Sequence, residues 1–417
     1  MRINALILSG LIVCFLFSCN GNEKGQKEEV GQEQKNVINP PNKSVTIITP
    51  YIYMENSASM KGYNDKDCNG FTSVLSELVG IYGRDKTKTF FYSDGLSQSY
   101  SADKFADMIA SKQVKYGKSS PLHLIIDSII NKKNSLNFLI TDGIMSGSDE
   151  QIRRNSKYNI YYREELQNNL ADKLRNQGLA ISVYQFESFF NGTYYCYDNT
   201  KVQLSKNRPF YVIAIGQKEQ VKDFKDKVEK GMAYFKPKND VHLGFIDAMA
   251  IKVYAANQGE VNDKVIEVDM TQIRKNGKKI SESESNEKEK SYLDLSIPLP
   301  EELPKYMKTN EYLKENLSLI FNDEKISDKL FYYNEKDQVI HAYIHPYNIL
   351  KENNFHSVLK YSLPKWCTKD SSLDDKNIKS EMFPTTFNLS YFIMGLQMGV
   401  EPNAKEIWNV EYKITKK

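Results

Sequence analysis

Residues 45–62 have the sequence VTIITPYIYMENSASMKG, in which an apolar run ends abruptly in a polar segment. The apolar part is rich in β-branched and aromatic side chains, so we predict a buried strand over residues 45–54. Pro50 lacks the amide hydrogen that a sheet needs, and the strand is therefore expected to begin at Tyr51 or to bend there. The polar segment starts where this strand ends.

Two predicted strands end in acidic or hydroxyl side chains. Glu55, Ser57 and Ser59 follow the first strand at alternate positions, and alternate residues of an extended segment point to the same side. A second, strongly apolar strand is predicted over residues 136–141 and is followed directly by Asp142. Ligands of open α/β sheets bind beyond the carboxyl ends of the strands. Because Mg²⁺ prefers oxygen ligands with few carboxylates, these four side chains are a candidate magnesium site.

The chain between residues 45 and 235 alternates between strand and helix patterns. Further strands are predicted over residues 87–92, 179–186 and 209–215, and helices over residues 71–82, 102–110, 120–131, 161–176 and 217–230. Such alternation predicts a doubly wound α/β domain over residues 45–235, in which helices cover both faces of a mostly parallel sheet.

The two polar segments resemble the main motifs of von Willebrand factor A (vWA) domains. ENSAS-M-x-G after the first strand is similar to the Asp-x-Ser-x-Ser motif of that family, and TDG at the end of the second strand is similar to its third metal loop. The resemblance covers residues 45–217 and implies a Rossmann-like fold with a metal-ion-dependent adhesion site. In such a site Ser57 and Ser59 would bind Mg²⁺ directly, with Mn²⁺ or Ca²⁺ as alternatives. Glu55 and Asp142 would act through water or hydrogen bonds.

The resemblance also implies a second ligand loop and a partner. The loop hydroxyl would come from Ser119, with Ser120 as the alternative alignment, and a protein partner with an exposed carboxylate would complete the metal shell. Two positions depart from the family pattern, because Glu55 replaces Asp and Ser119 replaces Thr. The alternative hypothesis is a metal-free site, in which Glu55 and the serines satisfy backbone groups of the loop.

The amino terminus has the pattern of an exported protein. Residues 1–18 combine a positive start with an apolar stretch shorter than the ~20 residues that span a bilayer, so we predict a signal peptide. Residues 16–19, Leu-Phe-Ser-Cys, resemble the lipobox of bacterial lipoproteins of the Bacteroidota type, which implies lipidation of Cys19 and a membrane anchor. Residues 19–44 are polar and are predicted to form a flexible tether. The run Lys27-Glu28-Glu29 resembles the acidic signals that direct lipoproteins of some Gram-negative bacteria to the outer surface, which implies an outer-membrane location with exposure at the cell surface.

Residues 240–417 show a different pattern, with short apolar or alternating runs between turn residues. These runs lie at residues 248–255, 264–270, 291–297, 317–321, 329–333, 339–344, 356–363 and 407–414. Their number and length predict a β-rich, sandwich-like domain. A helix over residues 387–400 is expected to pack on its sheet.

Composition narrows the classes of function. The net charge is +3 with acidic and basic residues interspersed, so the chain lacks the basic stripe of a nucleic-acid binder. Cys68, Cys196 and Cys367 remain after the signal peptide and Cys19, and without a CxxC pair they indicate no zinc site. The sequence contains no GxSxG motif, no HExxH motif and no phosphate-binding glycine loop, so no motif of these kinds points to an enzyme. We therefore expect an adhesion or scaffold lipoprotein of the cell envelope. A metal-free structural lipoprotein and a metal-assisted hydrolase are the alternatives.

Overall fold

The computed structural model describes residues 49–65, 68–118, 122–132, 134–144, 149–245, 249–255, 265–271, 273, 278–280, 290–382, 384–401 and 405–416. The predicted signal peptide, Cys19 and almost all of the apolar run before Pro50 lie outside the described residues, as does the predicted tether. Ser119 and Ser120 lie outside them as well.

Strands and helices alternate in the first part of the described chain. The strands are β1 (Pro50–Glu55), β2 (Lys88–Tyr92), β3 (Tyr100–Ser101), β4 (Leu136–Thr141), β5 (Leu179–Tyr195), β6 (Lys201–Gln217) and β7 (Asn239–Leu243). The helices are α1 (Asn69–Gly80), α2 (Ala102–Ala110), α3 (Leu122–Ile130), α4 (Asp149–Arg154), α5 (Tyr158–Leu174) and α6 (Lys218–Lys230). Local signals set several of these bounds. Ser101 caps α2 by accepting from the amide of Lys104, and Gln217 with Gln220 forms a capping box at the start of α6.

Short strands dominate the second part. They are β8 (Tyr254–Ala255), β9 (Val265–Val268), β10 (Lys278–Ile280), β11 (Lys290–Pro298), β12 (Leu317–Phe321), β13 (Glu324–Lys325), β14 (Phe331–Asn334), β15 (Val339–Ile344), β16 (Glu352–Lys360), β17 (Ser371–Ser372), β18 (Thr386–Phe387) and β19 (Glu406–Lys416). The helices are α7 (Asn310–Asn316), α8 (Trp366–Lys369) and α9 (Leu389–Val400). β8, β10, β11, β14 and β15 form one sheet, β9, β12, β13, β16 and β19 form another, and both contribute to one hydrophobic core. The prediction of a β-rich region after an α/β part is confirmed.

The strands of the first part form one mixed sheet, in the order β3-β2-β1-β4-β6-β5-β7. β1 pairs in parallel with β2 on one side and with β4 on the other. The pairs β2–β3, β4–β6, β5–β6 and β5–β7 are antiparallel. The α/β class is therefore confirmed, whereas the prediction of a mostly parallel sheet is wrong.

The difference comes from one long hairpin. β5 and β6 have 17 residues each and are joined only by residues 196–200. A parallel crossover needs about a dozen or more residues, usually with a helix, so this short connection forces an antiparallel pair. The strands predicted over residues 179–186 and 209–215 are the apolar inner halves of this hairpin. Its outer halves carry more polar side chains and continue past the end of β4.

Helices cover both faces of this sheet. α1, α2 and α6 bury apolar side chains against one face, and α3 and α5 against the other. The second face also receives α9, whose Leu389, Phe392, Ile393 and Leu396 belong to that core. The expectation that this helix packs on the carboxyl-terminal sheet is therefore wrong. An apolar helix face does not specify which apolar surface will cover it.

Candidate functional site

The pairing of β1 with β4 brings the two predicted polar segments together. Because these neighbouring strands run parallel, Glu55 and Asp142 leave the sheet at the same edge. Their side chains line one cavity of about 610 Å³ together with Ser57 and Ser59. The four described residues of the predicted metal site thus lie around a single space.

The two serines lie in the turn after β1. Their Oγ atoms are 2.9 Å apart and share a hydrogen bond. The turn continues into a 3-10 helix (Ala58–Asn64), and the amide of Met60 donates to the carbonyl of Ser57 at 3.1 Å. Two ligands at right angles around Mg²⁺, each at about 2.1 Å, are about 3.0 Å apart. The spacing of the hydroxyls therefore fits two adjacent positions of one octahedral shell.

Glu55 is buried and hydrogen-bonded to the end of β4. Only 4% of its surface is exposed. The hydroxyl of Thr141 donates to Glu55 Oε2 at 2.5 Å and accepts from the amide of Gly143 at 2.9 Å. The side chain of Glu, longer than the Asp of vWA domains, spans to the neighbouring strand in this way. Thr141 had no role in the sequence-based prediction, and only its position beside Asp142 indicated one.

Asp142 is buried to the same degree. Its Oδ1 accepts from the amide of Ile144 at 3.1 Å, and the hydroxyl of Ser59 donates to the carboxylate. Burial raises the pKa of Asp142, while the hydrogen bond from Ser59 and the positive charge of Arg208 act in the opposite direction. A carboxylate in surroundings that disfavour its charge is stabilised strongly by a cation placed beside it.

The loop before α3 reaches the same cavity through residues 116–118. It is fastened to the end of β1, because the amide of Gly117 donates to the Asn56 carbonyl at 2.8 Å. In return, Asn56 Nδ2 donates to the Lys115 carbonyl at 2.7 Å. The predicted ligand Ser119 lies outside the described residues, immediately after this segment.

The opposite wall of the cavity comes from the tip of the β5–β6 hairpin. Tyr195, Cys196, Tyr197 and Lys201 line the cavity there, and Phe387 of β18 joins them. None of these side chains was predicted to belong to the site. These segments are far apart in sequence, so no local pattern could have brought them to one site. The wall makes the candidate site concave.

The side-chain atoms of Glu55, Ser57, Ser59 and Asp142 that could bind a metal ion are all oxygens. Hydroxyl and carboxylate oxygens are the ligands that Mg²⁺ takes, so Glu55, Ser57, Ser59 and Asp142 fit this ion in kind. In the described part of the chain, no three His, Cys, Asp or Glu side chains are placed to hold a metal ion together. That finding does not cover a site built on serine hydroxyls. Cys68, Cys196 and Cys367 are buried and free.

Comparisons with protein families, with curated proteins and with solved structures found no match. The mixed sheet departs from the parallel, doubly wound sheet that the vWA resemblance implies. Across the described ranges, no helix combines the length and the apolar character needed to cross a membrane. The functional interpretation therefore rests on the geometry of the site.

Proposed function

We propose that this chain is a lipoprotein of the bacterial cell envelope, anchored in the outer membrane through Cys19, that binds a protein partner through a divalent cation. One observation carries the binding proposal. Glu55, Ser57, Ser59 and Asp142 follow two separate strands and meet in one cavity, with the serine hydroxyls spaced for an octahedral ion. The proposed class is an adhesion or scaffold module with a site of the vWA type, not an enzyme.

Each residue has a separate part in the proposed site. Ser57 and Ser59 would hold the ion directly, and Glu55 and Asp142 would hold it through water or hydrogen bonds. The bound ion, Mg²⁺ or alternatively Mn²⁺ or Ca²⁺, supplies an electrophilic position for a carboxylate of the partner. Thr141 orients Glu55 through a hydrogen bond, and Ser59 is hydrogen-bonded to Asp142. Such bonds order the ligands before the partner arrives, which reduces the entropy cost of binding.

The wall of the cavity restricts the shape of the partner. The aromatic side chains of Tyr195, Tyr197 and Phe387 border the cavity. A carboxylate on a narrow loop or an extended chain end would reach the ion, whereas one on a flat surface would not. Lys118 and Lys201 also line the cavity, and their positive charges favour an acidic partner.

Calorimetric titration of the full chain with MgCl₂, MnCl₂ and CaCl₂ tests the cation site. We expect saturable binding, and we expect the double substitution Ser57→Ala, Ser59→Ala to abolish it. Ser76→Ala, at an exposed position of α1, is the matched control and should bind as the wild type does. If the double variant binds cations like the wild type, the proposed site at Ser57 and Ser59 is wrong. If the wild type binds no cation, a metal-free structural lipoprotein becomes the better description.

A pull-down from envelope extract tests the partner. We expect a captured protein that is lost on addition of EDTA and with the Ser57→Ala, Ser59→Ala variant. Capture that survives both treatments would place the partner elsewhere on the molecule. Cation-dependent turnover of phosphate esters, glycans or peptides that this variant loses would instead favour a hydrolase.

A further inference from the structure

A segment distant in sequence completes the wall of the candidate site. We call residues 370–382 and 384–388 the strap, because they lie along the β5–β6 hairpin. Its hydrogen bonds to the hairpin join Lys206 to the Ile378 carbonyl (2.6 Å), Arg208 to the Thr385 carbonyl (2.8 Å) and the Tyr211 hydroxyl to that of Thr386 (3.0 Å). Near its end, Phe387 lines the cavity.

A buried carboxylate lies at the centre of this contact. Asp375 has no exposed surface. The hydroxyl of Tyr194 donates to its Oδ2 at 2.7 Å, and the amide of Tyr197 donates to its Oδ1 at 3.0 Å. Both donors belong to the hairpin, so one side chain of the strap holds the end of β5 and the turn that follows it.

The hydrogen bonds of Asp375 fix residues that line the site. The ring of Tyr197 stacks on Phe387, with centroids 5.7 Å apart and planes 19° apart, and both rings line the cavity. Cys196 also lines the cavity, yet only 3% of its surface is exposed. Its thiol donates to the backbone carbonyl of Asp375 at 3.6 Å. Separation of the hairpin tip from the strap would remove this wall and expose the thiol.

The surroundings of Asp375 favour its neutral form. Burial raises the pKa of Asp375 to about 6, and the hydrogen bonds from Tyr197 and Tyr194 lower it only in part. The other titratable or charged groups around the carboxyl and the adjoining Cys196 thiol are Arg208 on β6, Asp198 in the turn, and Asp374 and Lys376 on the strap. In an open strap the carboxyl would titrate near 4. Closure is therefore fully favoured below pH 4, and this contribution is lost as the pH rises through 6.

We propose that Asp375 is a positioning residue for the candidate site, which holds the hairpin tip against the strap and lets the wall open more readily once its side chain is charged. The importance of this wall for partner binding rests on the proposed function, whereas the closure itself does not. Asp375 contacts the wall and none of the four described ion ligands, so it would act on the shape of the site and leave the ion in place.

Labelling of Cys196 measures the opening of the wall. The full chain, without added cation, is treated with dithiodipyridine, which reacts with thiols even at acid pH, and the labelled cysteine is identified by mass spectrometry. Each rate is divided by that of the urea-unfolded chain at the same pH, which removes the intrinsic pH dependence of the thiol. We expect the normalised rate to rise by up to about 100-fold between pH 4 and pH 6 and to stay constant above pH 7.

Substitutions separate positioning from simple structural support. Asp375→Asn removes the charge and keeps the size, so at pH 7 we expect Cys196 to be labelled up to about 100-fold more slowly than in the wild type. Asp85→Asn makes the same change at an exposed position in the turn before β2 and should leave the wild-type profile intact. Tyr194→Phe removes a hydrogen bond that favours the charged form of Asp375. The normalised labelling rate of Cys196 in this variant should therefore level off at a higher pH than in the wild type.

Two results would overturn the proposal. One is a normalised wild-type rate that stays constant between pH 4 and pH 7. The other is faster labelling of Asp375→Asn than of the wild type, as expected if the carboxylate only stabilised the wall. No cation or partner is present in this measurement, so its failure leaves the calorimetric test of Ser57 and Ser59 unaffected. Likewise, failure of the calorimetric test leaves the labelling measurement unaffected.

Discussion

Thr141 connects the two carboxylates of the candidate site. Its hydroxyl donates to Glu55 and accepts from the amide of Gly143, so it fixes both the side chain after β1 and the turn that carries Asp142. A metal-binding carboxylate that an outer hydrogen bond orients keeps its position when the ion arrives. The longer side chain of Glu55 reaches the Thr141 hydroxyl at the end of β4, which gives a physical reason for Glu at this position.

Thr141→Val keeps the shape of the side chain and removes the hydroxyl. We expect the affinity for Mg²⁺ to fall by about 10–100-fold. The free energy of unfolding should fall by about 1–3 kcal/mol, because the buried carboxylate of Glu55 loses a donor. Calorimetry and urea unfolding measure the two effects. Thr89→Val is the matched control, since its hydroxyl donates to the Tyr100 carbonyl on the edge strand β3 of the same sheet. It should lower stability alone, and an unchanged Mg²⁺ affinity of Thr141→Val would contradict the role of the hydroxyl.

The sequence allowed the prediction of site residues that directly follow a strand. Glu55, Ser57 and Asp142 could be placed together because the carboxyl ends of parallel neighbouring strands share one edge of a sheet. Asp375 and Phe387 could not be placed at the site or its wall, since they belong to a segment far from both strands in the sequence. Contacts of this kind depend on topology, which local periodicity does not encode.

The β5–β6 hairpin is the element that most changes the predicted fold, and its outer half supports the loop of the candidate site. A Cβ at Gly192 would lie 2.9 Å from Gly62 Cα, and a Cβ at Gly62 would collide with the ring of Phe190. The two glycines thus let the segment after Ser59 lie directly on the hairpin. α2 and β4 were predicted with their correct bounds because their patterns are local. The direction of β6 depended on its connection, which lies within a polar stretch.

Gly62→Ala would place a methyl group against the buried ring of Phe190. We expect the free energy of unfolding to fall by about 1–3 kcal/mol through overpacking. Phe190→Leu should relieve the collision, so the double variant should lose less than the sum of the single losses. Gly80→Ala is the control, because no atom lies within 4 Å of its added Cβ and the residue ends a helix. It should be neutral or slightly stabilising. The unfolding free energies are measured in urea. If the loss in the double variant equals the sum of the two single losses within about 0.5 kcal/mol, the collision is contradicted.

At the scale of the whole molecule, the chain builds the β-rich part and then returns to the first sheet. α9 packs closely on α5, since a Cβ at Gly395 would lie 2.9 Å from the Gln167 carbonyl. The strap, which precedes α9, supplies Phe387 to the candidate site. The α/β part predicted over residues 45–235 therefore shares both its core and its site with residues that follow the first strands of the β-rich part.

A fragment of residues 45–245 should consequently fail to form a stable domain. It lacks the side chains of Leu389, Phe392, Ile393 and Leu396, which are fully buried in the full chain. Each such side chain contributes roughly 1.5–3 kcal/mol on burial, so their loss costs about 6–12 kcal/mol as an upper bound. That range is comparable with the ~5–15 kcal/mol that stabilises a whole domain. Thermal melts followed by circular dichroism, together with dye binding to exposed apolar surface, would compare this fragment with residues 45–417. The longer control, which lacks only the predicted signal peptide and tether, should melt like the full chain. Cooperative melting of the fragment near the Tm of that control would show that the first sheet is stable without α9.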